Sequence, residues 1–126
     1  MRILVDTSSI IFGFENRKSV FESILAELPG AKPEVSKGII SELNRISDRR
    51  GKKGAAASAA LNEISAKKVK ISNISDYPDS WIAREARLHP EIAVVTNDTK
   101  LARSIRGVMV LKMSRNGMLK RFAPRR

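Results

Sequence analysis

Ile3-Leu4-Val5-Asp6-Thr7-Ser8 and Ile92-Ala93-Val94-Val95-Thr96-Asn97-Asp98 are two short apolar runs that each end on an aspartate. A run of branched residues without alternation reads as a strand buried on both faces, the habit of parallel sheets. An acid just past the carboxyl end of such a strand lies where open α/β sheets hold their ligands. If the two strands are neighbours, their ends are about 4.8 Å apart. Two carboxylates that close stay ionised cheaply only with a cation between them.

Outward from these runs, the pattern alternates strand and helix. The first strand covers about residues 2–6, and a helix over about 15–28 stops at Leu28-Pro29-Gly30. A short strand near 32–35 leads to Ser36, a plausible N-cap for a helix running to about 48. Asp48-Arg49-Arg50-Gly51-Lys52-Lys53-Gly54 is a basic connector, and the alanine-rich stretch after it, about 55–65, is helical by propensity. Val69-Lys70-Ile71 is a brief strand. Pro78 opens a helix to about Leu88, since proline suits a first helical turn. A strand at 92–96, a helix at 99–105 and a strand at 108–112 complete the alternation. The expected fold is one α/β domain over residues 1–112, with a basic, partly mobile tail at 113–126.

Composition narrows the chemistry. The chain has 126 residues, enough for one self-sufficient core, and 24 Lys and Arg against 13 Asp and Glu, a net charge of +11. Such a balance points to an anionic partner, most simply nucleic acid. No cysteine is present, which excludes disulfides and thiolate metal sites and suits a reducing cytoplasm. No apolar run is long enough to span a bilayer, so no membrane role is expected.

Four acids stand out by position. Asp6 and Asp98 close strands. Glu42 falls at the edge of the apolar stripe formed by Ile39, Ile40, Leu43 and Ile46. Asp79 starts its helix on the face shared with Ile82, Ala83 and Ala86. Each has a plainer reading alone: a helix cap for Asp79, a salt bridge to Arg45 or Arg49 for Glu42, backbone-bonding turn residues for Asp6 and Asp98. All four at one end of one sheet favour a shared role. Oxygen ligands without His or Cys select Mg²⁺ or Mn²⁺ over zinc.

These residues resemble the PIN-domain family of small Mg²⁺- or Mn²⁺-dependent ribonucleases, over nearly the whole chain from Ile3 to about Lys112. Leu4-Val5-Asp6-Thr7-Ser8-Ser9 is similar to the family's first-strand motif, and Val35-Ser36 through Ile40-Ser41-Glu42-Leu43 to the segment bearing its second acid. Asp79-Ser80-Trp81-Ile82-Ala83 resembles the third motif, and Val94-Val95-Thr96-Asn97-Asp98 with Leu101 the fourth. The resemblance implies a three-layer α/β/α fold with a parallel sheet of about five strands in order 3-2-1-4-5. Arg50-Gly51-Lys52-Lys53-Gly54 with Ala56, Ala57, Ala60 and Leu61 is closer to archaeal and eukaryotic members of the ribosomal-RNA-processing type than to the VapC toxins. Two departures matter: Ser8 stands where many members carry asparagine, and Thr99-Lys100 follows Asp98 where many add another acid.

By this resemblance, Asp6, Glu42, Asp79 and Asp98 are the catalytic, metal-binding carboxylates for Mg²⁺ or Mn²⁺. Thr7, Ser8, Thr96 and Asn97 are candidates to support them or to contact phosphate. Arg49, Arg50, Lys52, Lys53, Arg103, Arg106, Arg115, Lys120 and Arg121 are candidates to bind RNA through its phosphates, although any one can be a solvated surface charge. The expected activity is endonucleolytic cleavage of single-stranded RNA in rRNA or other RNA processing. The alternatives are a VapC-like toxin and a non-catalytic RNA-binding scaffold. Expected partners are RNA, ribosomal precursor particles or, for a toxin, an antitoxin protein, and the family's habit allows a homodimer. Trp81 and Tyr77 flank the Asp79 helix start, where each can stack a base or pack on the sheet. A nucleotide-binding Rossmann or P-loop reading fails for want of G-x-G-x-x-G or G-x-x-x-x-G-K-[ST].

Overall fold

A computed structural model describes residues 1–122. The elements are β1 (Arg2–Val5), α1 (Thr7–Glu15), α2 (Val20–Glu27), β2 (Lys32–Ser36), α3 (Lys37–Ser47), α4 (Lys52–Ala66), β3 (Lys70–Ser72), α5 (Pro78–Leu88), β4 (Ala93–Val95), α6 (Thr99–Ser104), β5 (Met109–Met113) and β6 (Leu119–Arg121). They form one six-stranded sheet in order β3-β2-β1-β4-β5-β6, with β6 alone antiparallel. The central strands are buried, as their unbroken apolar runs require: Ile3, Leu4, Val5, Ala93, Val94 and Val95 have no exposed surface. Ile3, Leu4 and Val5 pair in parallel with Ala93, Val94 and Val95. The Asp6 amide then continues the ladder by donating to the Val95 carbonyl at 2.9 Å. The strand order reverses around β1, so a crevice opens past the ends of β1 and β4.

Right-handed crossovers place α1 to α4 on one face of the sheet and α5 and α6 on the other. The packing agrees: α4 lies on both α1 and α3, while α5 rests on β4. Ser36 caps α3 as the sequence suggests, its side chain accepting from the Ile39 amide at 3.2 Å. Among the described residues no helix is long and apolar enough to cross a membrane.

Two expectations change. The helix read over about 15–28 is the shorter α2, and an unexpected helix, α1, precedes it; the two are separated at Asn16–Ser19, where Arg17 takes φ 58° and Lys18 N–H bonds the Gly13 carbonyl. Side chains cannot follow so tight a reversal: a Cβ on Gly13 would stand 2.8 Å from the Lys18 carbonyl oxygen. Ser19 restarts the chain as the α2 cap, accepting from Glu22 N–H at 3.1 Å.

The second change is a sixth strand. Residues 113–122, expected in a tail, complete β5 and return as β6. Three contacts hold the hairpin: Ser23 Oγ donates to the Gly117 carbonyl at 2.6 Å, Leu119 N–H donates to the Glu27 carboxylate, and Phe122 N–H donates to the Val110 carbonyl. The first two are side chain–backbone bonds, which leave no sequence period, so the segment reads as unstructured. The last four residues of the expected tail, 123–126, lie outside the described residues.

Candidate active site

Past the carboxyl ends of β1 and β4 lies a cleft of about 540 Å³ lined by Asp6, Glu42, Asp79 and Asp98 together. Each acid comes from a different element. Asp6 follows β1, Glu42 is in the second turn of α3, Asp79 is in the first turn of α5, and Asp98 is the N-cap of α6. Residues separated by up to 92 positions in the chain therefore share one cavity, as the sequence pattern implied.

Asp6 is the deepest of the four, 3% exposed, and it is tightly held. Ser8 Oγ and Thr96 Oγ1 both donate to its Oδ2, at 2.6 and 2.8 Å. Burial pushes the Asp6 carboxyl up from the usual aspartate range. The two hydroxyl bonds pull it back part of the way, and the charges of Asp79 and Glu42 push it up again. Asp79, more open, is also raised, first by desolvation and then by Asp98 and Glu42, with Lys100 opposing. Both shifts come first from burial, with the neighbouring carboxylates adding to them.

The supporting residues divide the work. Thr96 Oγ1 bonds Asp6 and also accepts from Asp98 N–H at 3.0 Å, tying the two strand-end acids to one hydroxyl. Ser8 Oγ accepts from Asn97 N–H at 3.0 Å, joining the start of α1 to the end of β4. Asp98 Oδ1 accepts from Leu101 N–H at 3.2 Å. Thr7 lines the cleft, and its buried Oγ1 has no partner among the described residues.

The Asn97 side chain turns from the acids toward β5. Its Nδ2 donates to the Met113 carbonyl and its Oδ1 accepts from Met113 N–H, both at 2.9 Å, and Ser9 Oγ donates to Oδ1 at 2.7 Å. Thr96 N–H makes the last backbone rung of this ladder, to the Leu111 carbonyl at 2.9 Å. The Asn97 amide then supplies the next rung, freeing the main chain to turn and carry Asp98 into the cleft.

The basic candidates separate just as clearly. Arg49 and Lys53 line the cleft beside the acids. Arg50 and Lys52 occupy the same α3–α4 turn, exposed like Arg49 and Lys53, but form no part of the cleft lining. This turn depends on two glycines. Gly51 has φ 89°, and a Cβ on Gly54 would run into the Arg49 carbonyl oxygen. The Gly-Lys-Lys-Gly run is thus a backbone requirement that aims Arg49 and Lys53. Arg106 lines a separate depression with Arg87 and Pro90, Arg103 is exposed on α6, and Arg115, Lys120 and Arg121 are exposed on the β5–β6 hairpin.

Three features escaped the sequence reading. Glu15 lines the cleft as a fifth acid; with Thr7 and Ile11 it follows the four-residue spacing of one α1 face, a signal visible only once 7–15 is known to be helical. Lys100 stands near Asp79. On the opposite side of the domain, buried Glu34 is gripped by Arg2 Nε and Nη2 at 3.0 and 3.1 Å, while Arg2 Nη2 also reaches Glu85 at 2.8 Å and so ties α5 to the sheet.

The donor set fits a hard divalent cation: oxygen ligands, two carboxyls raised first by burial and then by like charge, and no cation paired with Asp6 among the described residues. Among the described residues no three acidic side chains stand close enough to enclose an ion as they lie. Glu42 is instead drawn to Arg45 at 3.6 Å. Asp6 and Asp98 are fixed by hydrogen bonds, whereas Glu42 and Asp79 lie on open helix surface where a change of rotamer is cheap.

No family model matches the chain, and no curated protein matches it. Solved structures do. The chain is similar to the PIN domain endonuclease Utp24, with a TM-score of 0.77 and 22% identity over 97% of this chain and 92% of that one. It is similar also to VapBC-1 from nontypeable Haemophilus influenzae, with a TM-score of 0.58 and 19% identity over 87% of this chain and 96% of that one. The superposition is better on Utp24 than on VapBC-1. With the sheet order β3-β2-β1-β4-β5-β6 and acids at the ends of β1 and β4, the chain has the PIN-domain fold.

Proposed function

We propose that this protein is a metal-dependent endoribonuclease that cleaves single-stranded RNA and leaves a 5′-phosphate, acting in the processing of rRNA or other RNA. The observation that carries the reading is the convergence of Asp6, Glu42, Asp79 and Asp98 on one cleft whose rim also holds Arg49 and Lys53. A scaffold that only bound RNA would gain nothing from four carboxylates facing a polyanion.

Asp6 and Asp98 would hold Mg²⁺ or Mn²⁺ centrally, and Glu42 and Asp79 would contribute directly or through water. The cation would supply an activated water and charge for the in-line displacement at phosphorus. The chain's own residues do the rest. Ser8 and Thr96 hold the Asp6 carboxylate in one orientation. One of these four carboxylates orients the attacking water. Arg49 and Lys53 grip the phosphates that flank the scissile bond, as the +11 net charge favours. The toxin reading has the weaker support, since the superposition on VapBC-1 is the poorer one.

Purified protein with Mn²⁺ is expected to cut labelled single-stranded RNA, and EDTA to stop it. Asp98→Asn is expected to abolish cutting while leaving the fold intact, because asparagine caps a helix as well as aspartate does. Equal cutting by the substituted protein would overturn the assignment.

A further inference from the structure

Tyr77 is 79% exposed, more open than any other large hydrophobic side chain among the described residues, while the neighbouring Trp81 is fully buried. A lone surface ring needs no explanation by itself, but the backbone beneath this one is clamped. Gly38 N–H donates to the Ile74 carbonyl at 3.1 Å, and α3 approaches the loop so closely that a Cβ on Gly38 would collide with the Asp76 carbonyl oxygen. Arg84 holds the Asp76 carboxylate at 2.6 Å. Tyr77 itself is extended, at φ −52° and ψ 139°, as a residue before proline must be, and its carbonyl accepts from Trp81 N–H at 3.0 Å. The result is a rigid perch with its ring turned to solvent.

Beside the ring runs a groove of about 230 Å³ whose walls include Ser41, Glu42 and Arg45 of α3 and Asp76 and Tyr77 of the loop. Glu42 also lines the acidic cleft, so groove and cleft adjoin at that residue. Asp79 follows Tyr77 by two residues, which keeps their Cα atoms within about 7 Å. Arg45, mostly exposed, brings positive charge to the same wall.

We propose that this groove is a nucleobase subsite, in which an unpaired base of the strand threading the acidic cleft stacks on Tyr77 with Arg45 beside it. The inference rests on the nuclease reading in taking that strand to be RNA. Stacking on an aromatic face accepts any base but requires one that has left its duplex. The groove thereby gives the cleft its preference for single strands with little preference for sequence.

The test is binding in EDTA, by fluorescence anisotropy, of a labelled uridine oligonucleotide and of the same ribose-phosphate backbone without bases. Tyr77→Ala is expected to weaken the base-bearing strand about tenfold and leave the abasic one unchanged. Tyr77→Trp is expected to restore binding, with emission of the new indole quenched by the base-bearing strand alone. Equal binding of both strands by wild type and Tyr77→Ala, or equal weakening of both, would overturn the proposal. Cleavage with Mn²⁺ is followed in parallel. A cutting wild type with base binding unaffected by Tyr77→Ala refutes the subsite and leaves the nuclease standing. Absent cutting with base binding lost in Tyr77→Ala upholds the subsite and refutes the nuclease.

Discussion

Asn97 offers a sharp test of how this cleft is built. Its side chain makes three hydrogen bonds, to Ser9 Oγ and to both backbone groups of Met113, a residue with no exposed surface. Water cannot readily replace the partners that Asn97→Ala removes at Met113. At about 1 kcal/mol for each bond, the loss is about 3 kcal/mol, a sizeable share of the roughly 5–15 kcal/mol that holds a domain folded. For a chain of this length that lowers Tm by on the order of 10 °C. Asn97→Asp, nearly identical in shape, is expected to do at least as much damage. It sets an oxygen against the Met113 carbonyl and adds a charge beside Asp6 and Asp98. Thermal unfolding followed by circular dichroism, with urea titration to check that the m value is unchanged, measures both. If Asn97→Ala melts within about 2 °C of wild type, the amide is not a rung of the sheet and the account of how Asp98 reaches the cleft fails.

Other outcomes follow from the same geometry. Gly54→Ala should lower stability by about 1–3 kcal/mol despite its better helix propensity, because the new methyl meets the Arg49 carbonyl; a urea midpoint at or above wild type would refute this. In EDTA, Asp6→Asn should be more stable than wild type near neutral pH, and the gap should close as the pH falls. The folded Asp6 carboxyl is raised above its unfolded value of 3.8, so the native state holds the extra proton between those two pKa values. Wild-type stability is therefore lost as pH rises through the native pKa. Urea midpoints at about pH 3 and about pH 7 check the sign. Lys53→Ala should weaken single-stranded RNA binding and flatten the slope of log K against log salt by about 0.7, the signature of one lost phosphate contact; an unchanged slope would take Lys53 out of the RNA path.

The acids were legible because their positions follow from local rules. Asp6 and Asp98 end unbroken apolar runs, Asp79 follows a proline that opens a helix, and Glu42 sits on a helical stripe edge. Strand ends, helix starts and stripe edges are all visible at short range. The first helix was hidden because Thr7, Ile10, Ile11, Phe12, Gly13 and Phe14 are all middling or poor helix formers by propensity. Glu15 and its place in the cleft went with it. Arg49 and Lys53 were among nine basic candidates, and nothing local distinguished them. That distinction depends on how the α3–α4 turn closes over Gly54.

What the amino-acid order determined by itself is the pair of central buried strands, β1 and β4, and with them the carboxylates that terminate them, since burial on both faces demands a continuous apolar run. Tertiary structure alone decided which charges meet. The Asn97 amide completes a rung at Met113, Thr96 ties Asp6 to Asp98, and Ser23 and Glu27 fasten a sixth strand. Each joins residues distant in the chain through single polar groups. Such bonds depend on position in space to a few tenths of an ångström and leave no periodic trace in the sequence.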